Sequence, residues 1–172
     1  MRNKKLELIT KRLVLKSIED SDKNEFIAIL NDPCIKKTYM LPDLNNKDEE
    51  DKLFNKLKDV SHSDKRIVYG IYLKDRIIGF INDVAIENDE VEIGYFISSK
   101  EWNKGYASEA FEAVIKEVFD MGYHRVVAAF FEGNIASEKV MQKCGMKLAK
   151  KEETILYRGQ NLKAIYYLIE DK

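Results

Sequence analysis

VEIGYFIS, Val91 to Ser98, and WNKGYASEA, Trp102 to Ala110, are the two stretches on which the fold turns. The first is short and rich in β-branched and aromatic residues, as a strand is, while from Ala107 onward apolar residues recur at helical spacing. Asn103, Lys104 and Gly105 stand between them as a turn. A glycine turn therefore delivers a strand into the start of a helix. The first helical turn leaves several backbone N–H groups unpaired and carries partial positive charge, so such a junction accepts a phosphate. Gly105 has no Cβ to hold an anion off. Taken alone, these residues suit a plain structural turn equally well.

Further along, Asn134 to Met146 reads NIASEKVMQKCGM. WNKGYASEA together with N-x-A-S-x-K-V-x-x-K-x-G resembles the GNAT superfamily of acyl-CoA-dependent N-acetyltransferases, most closely its ribosomal-protein N-terminal acetyltransferase branch. TKRLVLK, Thr10 to Lys16, and Asn31-Asp32-Pro33 resemble that branch's first strand and first helix end, so the likeness spans nearly the whole chain. It implies an α/β (α+β) GNAT fold: a mixed, mostly antiparallel sheet of six to seven strands, about four helices, and one parallel strand pair that splays apart.

The resemblance also implies acetyl-CoA as cosubstrate. Its pantetheine arm would lie like an added strand against Tyr95-Phe96-Ile97, with a main-chain N–H near Phe96 or Ile97 polarising the thioester oxygen. Its diphosphate would rest on the backbone amides of Asn103, Lys104, Gly105, Tyr106, Ala107 and Ser108, with side-chain contacts from Lys104 and Ser108. Three or four hydrogen bonds of roughly 1.5–3 kcal/mol each suffice in principle for the ~8 kcal/mol of micromolar binding. Trp102 stands where the superfamily turn usually carries an amide or a base, which removes only a side-chain contribution. Asn134 matches the position that contacts the cofactor arm, and Ser137 the serine placed to protonate the departing thiolate. From the residues alone Asn134 also reads as an N-cap and Ser137 as a first-turn residue, and the roles can coexist.

An amine must be neutral to attack a thioester. An α-amino group (pKa ~7.7–8.0) is far closer to that state at pH 7 than lysine (~10.4), so a carboxylate acting directly or through one water suffices as base. Glu92 is the preferred candidate; a solvated or salt-bridged strand residue is its plain alternative. Asp83, Glu132 and Glu138 are weaker candidates, and Tyr157 and Tyr166 are further proton donors to consider. Cys144 has no histidine near it in sequence, so direct transfer in a ternary complex is expected over a covalent enzyme intermediate. The expected acceptor is a primary amine, a protein or peptide N-terminus before a polyamine or other small amine. Lys163 stands where relatives often carry an acidic residue. The competing readings are a non-catalytic acetyl-CoA-binding sensor and a nucleotide-phosphate enzyme; the latter calls for G-x-x-x-x-G-K-[ST], which is absent here.

The remaining sequence sets bounds. A chain of 172 residues is expected to form one domain, and 45% hydrophobic with 34% charged residues is ordinary for a globular protein. A net charge of −1 provides no field to gather nucleic acid or an anionic membrane. MRNKKLELI begins basic but lacks the apolar stretch of a leader, and no run approaches the ~20 apolar residues of a membrane span, so a cytoplasmic protein is expected. Cys34, Cys144, His62 and His124 are isolated, so no metal is expected. A homodimer is implied as a frequent state of the resembling branch.

Taken in order, Arg12–Ser17 reads as a strand and Asp20–Leu30 as a helix capped by Asp20 or Ser21 and closed by Pro33. Leu41–Asn46 reads as a loop and Lys47–Val60 as a surface helix. Ile67–Leu73, Ile77–Ile86 and Val91–Ser98 form an antiparallel meander, in which Gly79 and Gly94 allow close approach of a backbone or ligand. A helix over Ala107–Met121, with Gly122 following it, crosses to a strand over Tyr123–Phe131 parallel to its predecessor. A short helix from Asn134 to near Cys144 precedes a hairpin of Met146–Thr154 and Lys163–Ile169 around Arg158-Gly159-Gln160-Asn161.

Overall fold

Period-two apolar runs pair into one sheet in the computed structural model, which describes residues 6–172. The basic start at residues 1–5, part of the stretch expected not to be a leader, lies outside the described residues. The strands are β1 (Leu8–Ile9), β2 (Leu13–Lys16), β3 (Val68–Leu73), β4 (Arg76–Glu87), β5 (Glu90–Ile97), β6 (Arg125–Phe131), β7 (Lys147–Tyr157) and β8 (Gln160–Glu170). They lie in the order β1-β2-β3-β4-β5-β6-β8-β7. Every neighbouring pair is antiparallel except β5 and β6. The eighth strand beyond the expected six or seven is the two-residue β1.

That parallel pair shapes the molecule. β5 and β6 are in register only from Glu90 to Glu92 against Arg125 to Val127. Beyond there, β5 continues to pair with β4 as far as Ile97, and β6 with β8 as far as Phe131. The two strands part, and the sheet opens as a V. Because side chains alternate along a strand, Val91, Ile93, Tyr95 and Ile97 pack with α4 (Tyr106–Asp120) on one face. Phe96 packs on the other face with α1 (Lys23–Leu30), α2 (Pro33–Thr38) and α3 (Lys47–Ser61). There Phe26 is fully buried, with ring centroids 5.8 Å from Phe80 and 6.3 Å from Phe96. A fifth helix, α5 (Ile135–Lys143), follows β6.

Pro33 does not simply close α1. It is the first residue of α2, where a missing N–H costs nothing, and the Asp32 carboxylate caps that helix by accepting from the Cys34 N–H at 2.8 Å. The Asp20–Asp22 stretch is a 3₁₀ turn, and α1 starts after it with Asp22 at its cap position. Gly79 and Gly94 are closed upon by the protein itself. A Cβ on Gly79 would sit 2.4 Å from the Phe96 carbonyl oxygen, and one on Gly94 would press on Val84 and the Tyr39 ring. Among the described residues no helix is long and apolar enough to cross a membrane.

Candidate active site

The helix that leaves the V starts without a side-chain cap. Gly105, at the N-cap of α4, has φ +80°, and Asn103 has φ +60°. Such left-handed backbone favours glycine and tolerates asparagine. The first intrahelical bond runs from the Glu109 N–H to the Gly105 carbonyl at 3.2 Å, so the N–H groups of Tyr106, Ala107 and Ser108 lie ahead of the helical ladder. A Cβ on Gly105 would sit 3.3 Å from Arg12 Nη2 and 3.7 Å from Lys143 Nζ. The turn is thus small, donor-rich and flanked by two cations.

Arg12 holds the turn in place. Its Nη1 donates to the Lys104 carbonyl at 2.9 Å, its Nε to Glu109 at 2.7 Å, and its guanidinium lies 4.6 Å from the Tyr106 ring centroid. Burial would raise the Glu109 carboxyl, but hydrogen bonds from Thr10 and Arg12 outweigh it and hold the group below its ordinary range. On the strand side, Trp102 Nε1 donates to the Ile97 carbonyl at 2.7 Å and ties the turn to the end of β5.

Two cavities meet in the V. The first, of about 400 Å³, is lined by Tyr95, Phe96 and Ile97, by Asn103 and Gly105 through Ser108, and by α5 residues including Ser137, Lys139 and Lys143. The Ser98 N–H donates to Ile78 on β4 at 2.7 Å. Main-chain groups alternate along a strand, so Phe96 also bonds toward β4, whereas Tyr95 and Ile97 point theirs into the V. The open strand edge and the uncapped helix start together fit an extended arm ending in a diphosphate.

The second cavity, of about 370 Å³, is lined by Tyr39, Asn82, Asp83, Glu92, Gly94, Tyr166 and neighbours. Thr38, Tyr95 and Ser137 line both cavities. Glu92 has no hydrogen bond or ion pair among the described residues, and burial raises its carboxyl above the ordinary range. Lys151 opposes that shift, while Glu153, Glu90 and Glu87 add to it. A β-bulge in β4 between Asp83 and Ala85 lies opposite Glu92, a common device beside functional sites. Ser137, in the first turn of α5, donates its N–H to Asn134 Oδ1 at 3.2 Å, and its Oγ accepts from Asn134 Nδ2 at 3.2 Å.

A family model described as an acetyltransferase (GNAT) domain matches residues 12–147. The chain belongs to the GNAT acetyltransferase family. The protein YnaD of Bacillus subtilis, named an uncharacterized N-acetyltransferase, is 31% identical over 147 residues, 83% of each chain. RimL, a ribosomal alpha-N-protein acetyltransferase solved with coenzyme A, matches at TM-score 0.84 and 17% identity over 96% of this chain and 98% of its own. The microcin C7 self-immunity acetyltransferase MccE, solved with acetyl-CoA and AMP, matches at 0.81 and 20% over 94% and 93%. The structural matches speak to the fold, which is that of a GNAT acetyltransferase. As a GNAT enzyme, the chain carries out acetyl transfer from acetyl-CoA.

Within this GNAT enzyme the expected cofactor-side residues other than Lys104 line the first cavity, with three changes of detail, the first being that the Phe96 main chain turns to β4. Lys104 Nζ turns away to Glu101 at 2.7 Å, and Ser108 Oγ donates to the Gly105 carbonyl at 3.1 Å, so neither side chain is aimed into the cavity. The weaker base candidates are engaged elsewhere. Asp83 accepts from Arg66 Nε at 2.8 and 2.9 Å, Glu138 from the Tyr167 hydroxyl at 2.8 Å, and Glu132 lies 3.6 Å from Lys163. Tyr166 donates to Glu153 at 2.9 Å, and Tyr157 to the Lys36 carbonyl at 2.7 Å. Burial pushes the Cys144 thiol up to about 12, which keeps it from being a thiolate nucleophile near neutral pH.

Arg12, Thr38, Lys139 and Lys143 were not among the expected site residues. Ala136, Lys139, Val140 and Lys143 recur at helical spacing along α5 and all line the first cavity, so periodicity carried from Ala136, beside Ser137, would have found the two lysines. Arg12 acts on a turn 92 residues away, and no local pattern announces that.

Proposed function

We propose that this enzyme acetylates a primary amine, with a peptide or protein N-terminus as the favoured acceptor, by direct attack in a ternary complex. One observation carries the reading: Ser137 lines both the cavity suited to the acyl carrier and the cavity that contains Glu92. The amides of Gly105 to Ser108 would hold the diphosphate, with Arg12 and Lys143 adding positive charge. The Ile97 or Tyr95 main-chain N–H would donate to the thioester oxygen. When bound, acetyl-CoA supplies the activated acetyl group.

Glu92 takes the proton that the amine sheds, directly or through a water. The N–C bond forms, the C–S bond breaks with its electron pair staying on sulfur, and Ser137 gives its proton to that sulfur. The proton on Glu92 returns to Ser137 through solvent. An α-amino group favours this arrangement because one carboxylate of raised pKa suffices for an amine of pKa ~7.7–8.0, whereas lysine at ~10.4 needs more help.

Thiol release tests the acceptor. A Ser-initiated peptide amide is compared with the same peptide carrying an acetylated N-terminus and one lysine, and with spermidine. The free N-terminus should give a kcat/KM at least about 10-fold higher than either rival, a difference of 1.4 kcal/mol. Preference for spermidine or lysine would overturn the acceptor assignment and leave acetyl transfer in place.

A further inference from the structure

The Tyr95 hydroxyl is buried and has no hydrogen-bond partner among the described residues. A buried hydroxyl without a partner costs about 1–3 kcal/mol, and such groups gather at functional sites. This one lies where the two cavities meet, since Tyr95 lines both. Its ring packs on Phe111 of α4 with centroids 5.2 Å apart, which fixes the hydroxyl's direction. Ser137, which lines the same two cavities, is the hydroxyl within reach of a hydrogen bond from it.

Ser137 has room for that bond. A serine hydroxyl offers one proton and two lone pairs. Asn134 Nδ2 occupies one lone pair at 3.2 Å. A second donor on the other leaves the Ser137 proton no direction but outward, away from both donors.

We propose that Tyr95 is a positioning residue for the leaving-group step: its hydroxyl donates to Ser137 Oγ, so that Asn134 and Tyr95 together aim the Ser137 proton at the departing sulfur. This rests on the reading of Ser137 as the thiolate's proton donor. As the C–S bond breaks, the electron pair stays on sulfur and Ser137's proton moves to it. The two donors then stabilise the negative charge left on Oγ until a proton returns through solvent. Tyr95 keeps its own proton throughout, and burial, which raises its pKa, favours that.

Tyr95→Phe removes the hydroxyl and little else. If the group were only an unsatisfied buried oxygen, its removal would leave the unfolding midpoint unchanged or raised and turnover untouched. The inference predicts that same midpoint together with a kcat lowered about 10-fold and a KM for acetyl-CoA within about twofold, the size of one lost hydrogen bond. In a Ser137→Ala background, Tyr95→Phe should cause no further loss. Turnover is read as thiol release on the best acceptor from the panel above.

A kcat within about twofold of wild type, a raised KM with a lowered midpoint, or losses that multiply in the double variant would each overturn the Tyr95 role. If Ser137→Ala lowers kcat and Tyr95→Phe does not, the Ser137 reading stands and only Tyr95 falls. Unchanged kcat in Ser137→Ala, or no acceptor-dependent thiol from wild type, would remove both.

Discussion

Glu92 and Ser137 approach one opening from different elements, a strand and a helix, and what each can do depends on its surroundings. Glu92 is half-buried and unpaired, so its carboxyl binds a proton more readily than in solution. As pH falls, the base form disappears sooner than an ordinary carboxylate's would. The acid limb of kcat/KM should therefore lie above the usual carboxylate range, near ~4.3 for free glutamate, and Glu92→Gln should abolish the limb while lowering the plateau about 10²-fold. The linked stability effect has the opposite sign from that of a salt-bridged acid. Native protein binds the extra proton between the unfolded and the raised folded pKa, so stability declines as pH rises through that window. Glu92→Gln should thus be neutral or stabilising at pH 7. An unchanged limb in pH–rate measurements would remove Glu92 as the base. Its side of the sheet was legible from sequence, because Glu92, Gly94 and Phe96 share parity opposite Tyr95 and Ile97. Its lack of a partner was not, since the groups that engage Asp83, Glu132 and Glu138 are set by tertiary contacts.

At the scale of elements, the turn before α4 is held by Arg12, the residue just ahead of β2. Arg12 joins Glu109 and the Lys104 carbonyl, which locks the start of α4 against β2. Arg12→Ala should weaken acetyl-CoA binding about 10-fold by loosening the turn and removing a nearby cation. With the Arg12 side chain 41% exposed, the stability loss should be held to about 1 kcal/mol. Glu109's folded pKa is depressed, so its contribution is present above the unfolded value and fades as pH falls through the folded one. Denaturant unfolding across that acidic range should show the wild type losing its advantage over Arg12→Ala; a constant gap would contradict this ion pair. The strand, glycine turn and helix could be read from WNKGYASEA because each rests on local chemistry. The clamp could not, because it spans the molecule. Pro33 has a similar double meaning: α1 ends ahead of it, but a proline that can stop one helix can equally begin the next, and Asp32 makes it do so by capping α2.

Across the whole molecule, function follows from a sheet that pairs β5 and β6 for three residues and then lets them part. The motifs implied the parallel pair and its splay, whereas the place where pairing stops depends on how β5 stays with β4 and β6 stays with β8. The α4 face carries the uncapped helix start and the opposite face carries Glu92, so two ligands can approach through one gap without sharing a channel. In the proposed reaction the amine would meet Tyr39, Asn82 and the β7–β8 hairpin, whose side chains follow no local spacing rule. All of this requires that the main chain at the start of α4 grip the diphosphate. Calorimetric titration of acetyl-CoA into wild type and Gly105→Glu tests that grip most directly. The substituted carboxylate would fill the cradle and repel the anion, while left-handed strain costs about 1–2 kcal/mol of stability. The account predicts affinity weakened at least about 100-fold in a protein that still unfolds in one cooperative transition; equal affinity in the two proteins would contradict it.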